Sequence, residues 1–165
     1  MSKKVAYYGI FAALAVLMGY VEFVLPSPVP IQGVKLGLAN VIVVIVMYFM
    51  GEKSALAISV VRVIMSSLLF GGFSGFLYSI AGALVSFGAM CIVKKIKAVS
   101  IIGVSIIGGI FHNIAQITVA ALVLNTKGVF YYLPVLLISG VITGIIIGLI
   151  SKYCLAHIEK AGIRF

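Results

Sequence analysis

A chain of 165 residues that is 64% hydrophobic and only 9% charged, with a mean hydropathy of +1.33, carries more apolar side chain than a water-soluble domain of this size can hide. That excludes a soluble class and points to an integral membrane protein whose surroundings are the lipid bilayer. The net charge of +9 sits at the ends of apolar segments rather than along one face, so it reads as a topology signal and nucleic acid is excluded as a partner.

Lys3 and Lys4 open an apolar run from Val5 to Leu25 that is too long for a signal-peptide core and has no small-residue cleavage site after it, so it predicts a retained first span. A proline-studded turn, Pro26-Ser27-Pro28-Val29-Pro30, leads into a second apolar run from Val34 to Met50. Further runs extend from Lys53 to Phe70, Ser74 to Val93, Val99 to Asn125 and Tyr131 to His157. At about 20 residues per crossing, the expectation is an all-α integral membrane bundle of six transmembrane helices forming one domain over residues 1–165.

Orientation follows from the lysines and arginines. With both termini and the turns at Gly51-Glu52-Lys53 and Lys94-Lys95-Ile96-Lys97 on one side, that side collects Lys3, Lys4, Lys53, Lys94, Lys95, Lys97, Lys152, Lys160 and Arg164, while the other keeps Lys35 and Lys127. The positive-inside rule makes the first side cytoplasmic, which places the protein in the cell membrane as a multi-pass chain. Cys91 and Cys154 then fall near cytoplasmic segment ends, without CxxC spacing or a neighbouring ligand set, so neither a disulfide nor a metal is expected.

Several polar residues need an explanation beyond packing. Glu22 lies near the outer end of the first span, Gln32 and Lys35 where the second begins, Asn40 about a turn and a half further in, and Arg62 near the middle of the third, flanked by Ser59 and Ser66. On the fifth span Gly109, His112, Asn113 and Gln116 share a face, because separations of three, four and seven residues return to one side of a helix. A charge at membrane depth costs about 2.5 to 3.5 kcal/mol on insertion scales, and intramembrane ionisable groups mark functional sites by default. One account is internal pairing of Glu22 with Lys35 or Arg62 plus interhelical amide hydrogen bonds of about 0.6 to 2 kcal/mol each. The other is a binding cavity open to the outside, where two cations against one acid favour an anionic or polar ligand group. Aromatic residues at the same level, among them Tyr20, Phe23 and Phe70, suit interfacial anchoring or stacking on a planar ligand.

Small residues form stripes: Gly75, Ser79, Gly82 and Ser86 in the fourth span, Gly140, Gly144 and Gly148 in the sixth, and the pairs Gly9/Ala13 and Ala15/Gly19 in the first. Such stripes let helices approach closely, and those of the first span suit either packing within the bundle or docking of a second membrane protein. Catalysis finds little to work with. The chain has no aspartate, its three glutamates are scattered over both sides, and no GxxxxGK[ST] loop is present, so magnesium-assisted diphosphate chemistry and ATP hydrolysis are not expected of it. His112 and His157 lie at different depths and do not make a haem site, so no cofactor is expected.

The segments Gln32-Gly33-Val34-Lys35-Leu36-Gly37-Leu38-Ala39-Asn40, Tyr78 to Ser86, Gly103 to Gln116 and Pro134 to Gly144 resemble the Gx transporter family, often labelled heptaprenyl diphosphate synthase component I. That family is similar to the S components of energy-coupling factor transporters, six-helix membrane proteins that capture vitamins and related compounds. The resemblance implies a small-molecule substrate and, as partners, a transmembrane coupling protein and ATPase subunits; Gly9/Ala13 and Ala15/Gly19 approximate the AxxxA-type docking pair of the first S-component helix. The synthase label implies a different role, a non-catalytic membrane partner of a prenyltransferase, since a chain without aspartate does not resemble the enzyme itself.

Overall fold

The computed structural model describes residues 2–25 and 37–163, with α1 (Ser2–Val24), α2 (Leu38–Phe49), α3 (Glu52–Ser66), α4 (Gly72–Lys94), α5 (Ile101–Val123) and α6 (Leu133–Lys160). A π-helical turn, Ser67–Gly71, joins α3 to α4, and a 3-10 turn, Lys127–Tyr132, leads into α6; there is no strand among the described residues. Helices satisfy their own backbone groups, which is what an apolar solvent demands of a chain this hydrophobic.

Four helical runs are long and apolar enough to cross a membrane: Lys4–Val24, Glu52–Lys94, Ile101–Val123 and Lys127–Lys160. Two places account for the difference from the six expected spans. α2 has 12 residues, about 18 Å of helix, and positions 34–36 of the expected second span lie outside the described residues. The run Glu52–Lys94 counts 43 residues because the π-turn carries α3 up to Gly72 with no loop between, although Gly72 itself, with ψ −179°, is not helical. As a straight rod it would be about 60 Å long, yet its ends meet: Lys94 Nζ lies 3.6 Å from Glu52 Oε1. The run is therefore a helical hairpin, and Gly72 sits at its bend with φ +63°, a conformation that costs glycine little.

α2 is the axis of the bundle. Ala39 and every residue from Val41 to Met47 are buried, and the helix contacts α1, α3 and α6. A helix apolar all round belongs in a core, and Met47, Val46 and Val104, none of them solvent-accessible, mark where that core sits. Ser151 on α6 donates to the Val41 carbonyl at 3.4 Å, tying the two helices together.

The glycine stripe of α6 is buried against α5. A Cβ on Gly144 would fall 2.6 Å from the Ile106 Cα, and one on Gly148 2.7 Å from the Ile102 Cα, so backbone meets backbone along this seam. On α1 the small pairs divide. Ala15 is wholly buried in the core and Gly19 faces Ser66, whereas Ala13 is exposed and Gly9 has open space beside it. Of the four residues expected to dock a partner, Ala15 and Gly19 therefore serve packing within the bundle, because α1 turns that edge toward α2 and α3. The rest of α1 is bare: 6% of its apolar stretch is buried, against 22% and 28% in the other runs.

One end of the bundle gathers the basic turns. Lys94 donates to the Met47 carbonyl at 2.9 Å and lies 5.0 Å from the centre of the Tyr48 ring, placing a cation at the C-terminus of α2 where the helix dipole favours it. The Tyr8 hydroxyl is 2.7 Å from Ser54 Oγ, which brings the start of α1 to the same end.

Gly144→Val is expected to force α5 and α6 apart and to destabilise the bundle by about 1–3 kcal/mol, read as a lower melting temperature in detergent. Gly9→Val, with no atom within 4 Å to displace, should leave it unchanged.

Candidate functional site

The ends of α1, α2 and α3 farthest from the basic turns, with α4 and α5, line an open cavity, about 470 Å³ of empty space with its mouth and the adjoining solvent included. Its lining includes Glu22, Asn40, Arg62, His112 and Gln116, so five of the expected site residues come together from α1, α2, α3 and α5. Arg62 is only 9% exposed. Its Nε and, one turn further along α3, the Ser66 hydroxyl are buried with no hydrogen-bond partner among the described residues. Two polar atoms at i and i+4 share a helix face, so both open hydrogen-bonding sites address one space.

Glu22 is equally buried and has a defined task. Its Oε1 accepts a hydrogen bond from the Gly37 N–H. Gly37 is the N-cap of α2, has φ +75° and carries no side chain to cap the helix. A carboxylate from α1 thus accepts the N–H of the N-cap residue, as the N3 glutamate of a capping box does, and meets the positive end of the α2 dipole. The same charge interacts with the Arg62 guanidinium across the cavity. At the mouth Phe70, within the π-turn, packs on Tyr20 and Phe23 with ring centres 5.7 and 5.3 Å apart. π-turns inside helices are common at functional sites.

Below it lies a second pocket, about 370 Å³ of empty space with its open side included, that shares Gly37, Asn40 and His112 with the first. Ser86, Ser105, Asn113 and Thr143 line it, with Val44, Met90 and Ile147 among the apolar walls. Asn113 is buried, and its Nδ2 donates to the Leu136 carbonyl at 2.6 Å, so the amide staples α5 to α6 as well as facing the cavity. Gly82 makes room for the histidine: a Cβ there would fall 2.7 Å from the His112 ring.

Gln32 and Lys35 lie outside the described residues. Ser59 is buried but lines neither cavity. Sequence reasoning assigned Ser79, Gly82 and Ser86 to helix packing and did not single out Ser105 or Thr143. For Ser105 the available signal was its place seven residues before His112, on the same face of α5. Among the described residues no three His, Cys, Asp or Glu side chains gather into a possible metal site.

The family model described as heptaprenyl diphosphate synthase component I matches residues 11–154, and the chain belongs to that family. No curated protein and no solved structure matches it.

Replacing Glu22 by glutamine keeps an acceptor for Gly37 but removes the anion that faces Arg62. Glu22→Gln is expected to cost about 3 kcal/mol, the loss of one partner from a buried charge pair. The double variant Glu22→Gln/Arg62→Gln should recover part of that loss in a double-mutant cycle of denaturation.

Proposed function

We propose that this member of the family is a substrate-capture subunit of the cell membrane, comparable to the S components of energy-coupling factor transporters, that takes a small organic anion from the outside. The observation that carries the reading is the buried Arg62 guanidinium, whose Nε has no partner among the described residues while it and Ser66 face a cavity. An unmade hydrogen bond from a buried charge is costly. A carboxylate or phosphate oxygen is the group a guanidinium pairs with best.

In this reading Arg62 meets the anionic group, Asn40, His112 and Gln116 add hydrogen bonds, and Glu22 holds the α2 N-terminus while limiting the site's positive charge. Gln32 and Lys35, which lie outside the described residues, are further candidates to contact the ligand. The α3–α4 hairpin and the central α2 support six crossings, with both termini at the cytoplasmic, lysine-rich end. The exposed face of α1 with Gly9 and Ala13 would meet a transmembrane coupling protein driven by ATPase subunits, since the sequence has no nucleotide-binding loop of its own.

A second reading takes the family's description at its word: a non-catalytic membrane subunit that recruits a soluble prenyl diphosphate synthase through the basic turns around Lys53 and Lys94. A purely structural subunit is disfavoured, because it calls for an outer half filled by its own polar groups and leaves no use for the cavity.

Native mass spectrometry of the protein purified in mild detergent should find a retained anionic small molecule, bound at least 10-fold more weakly by Arg62→Gln, as expected for one lost charge-assisted hydrogen bond. Equal retention by both proteins would refute capture at Arg62, and recovery of a soluble synthase with no small molecule would favour the second reading.

A further inference from the structure

A charged group at Arg62 accounts for only one end of a ligand, and the outer cavity restricts what the other end can be. Away from its mouth the cavity leaves room for about two water molecules, which is space for an anionic group and not for a whole organic molecule. The remainder of the ligand must extend into the mouth. There it meets the rings of Phe70, Tyr20 and Phe23.

Phe70 lines the cavity together with Arg62 and Ser66, and the backbone explains how. Eight residues along a straight α-helix carry a side chain about 80° off the starting face, which would turn Phe70 away from Arg62. The π-turn Ser67–Gly71 closes wider hydrogen-bonded rings, winds less per residue and returns Phe70 to that face. Its neighbours behave otherwise: Leu68, Leu69 and Phe73 are largely exposed, as side chains that meet lipid or the membrane interface are. Phe70 is half-buried, and its ring is held at 60° to that of Tyr20 and 33° to that of Phe23. The π-turn thus points one aromatic ring inward while its neighbours face out.

Four residues, about 6 Å of helix, separate Phe70 from the Ser66 hydroxyl. A ligand with its anionic group between Arg62 and Ser66 would bring the atoms that follow a short spacer against the Phe70 ring. Aromatic rings in offset or edge-on contact attract beyond what their buried area gives, whereas a saturated ring of similar bulk gains the area alone.

We propose that Phe70 is a specificity-determining residue at an aromatic subsite, and that the ligand is an organic anion whose planar ring is joined to its charged group by a short spacer. This inference rests on the capture reading and narrows the substrate from small organic anions to those that carry a flat ring.

Three acids with one head test it in binding measurements on the purified full chain in lipid nanodiscs, with uptake by empty nanodiscs subtracted: propionate, 3-phenylpropionate and 3-cyclohexylpropionate. The intact protein should bind 3-phenylpropionate about 10-fold more tightly than propionate, from the added apolar burial, and about 3-fold more tightly than the cyclohexyl acid, from the ring contact. Phe70→Leu keeps apolar bulk without the ring. It should abolish the preference for phenyl over cyclohexyl and leave propionate binding and the melting temperature unchanged, while Phe70→Tyr should retain the preference. Arg62→Gln should weaken all three acids. Equal binding of the two ring-bearing acids by the intact protein, or an undiminished phenyl preference in Phe70→Leu, would overturn the aromatic subsite, and anion capture would survive if Arg62→Gln still weakened all three. If none of the acids binds, or Arg62→Gln changes none of them, the capture reading fails and the subsite with it.

Discussion

A guanidinium held inside an apolar bundle is the constraint around which this molecule is arranged. Arg62 is carried into the interior by α3, and the surrounding helices supply what keeps it tolerable: a carboxylate from α1 and a polar cavity reaching to α4 and α5. The Glu22 carboxylate does a second job by accepting the N–H at the head of α2. The central helix and the charged site therefore depend on the same side chain. Removing it would disturb fold and chemistry together, which is why the site cannot be moved along the bundle without rebuilding α1 and α2.

The packing beneath is made from small residues used in two ways. Along α5 and α6, glycines bring backbones into contact and leave no space. Along α4, Ser79, Gly82 and Ser86 keep the helix close to α5 while opening room for the His112 ring and for both cavities. The first use makes a rigid wall and the second makes a void, and the difference is set by what the facing helix presents: backbone in one case, a polar side chain in the other.

Much of the helical framework was legible in the sequence, because uninterrupted apolar runs bounded by lysines have few other solutions. What escaped was local. The joint between α3 and α4 reads as a gap around Gly71 and Gly72, and the chain does turn at Gly72, but a π-turn carries α3 up to that bend and an apolar run gives no sign of it. The second span looked long enough to cross, whereas the described α2 begins only at Leu38. For the site, Glu22, Asn40, Arg62, His112 and Gln116 could be named from their cost in an apolar segment and their shared helix faces. Asn113 could be named too, but not its bond to the Leu136 carbonyl, since a backbone acceptor on another helix leaves no trace in sequence. Serine and threonine hydroxyls were passed over because they bond so readily to their own helix, as Thr143 does to the Ser139 carbonyl. Ala15 and Gly19 resembled a docking motif until the bundle turned them inward.

The claim beneath all of this is that the polar groups of separate helices surround a water-filled space reached from the end opposite the lysines. Cysteine accessibility measures it directly. In a background with Cys91 and Cys154 replaced by serine, a cysteine at Ser79 should react with a membrane-impermeant thiol reagent added on the outer side, and a cysteine at Met47 should not. If the Ser79 position reacts from neither side, or only from the lysine-rich side, the cavity is not the entry site described and the account is contradicted.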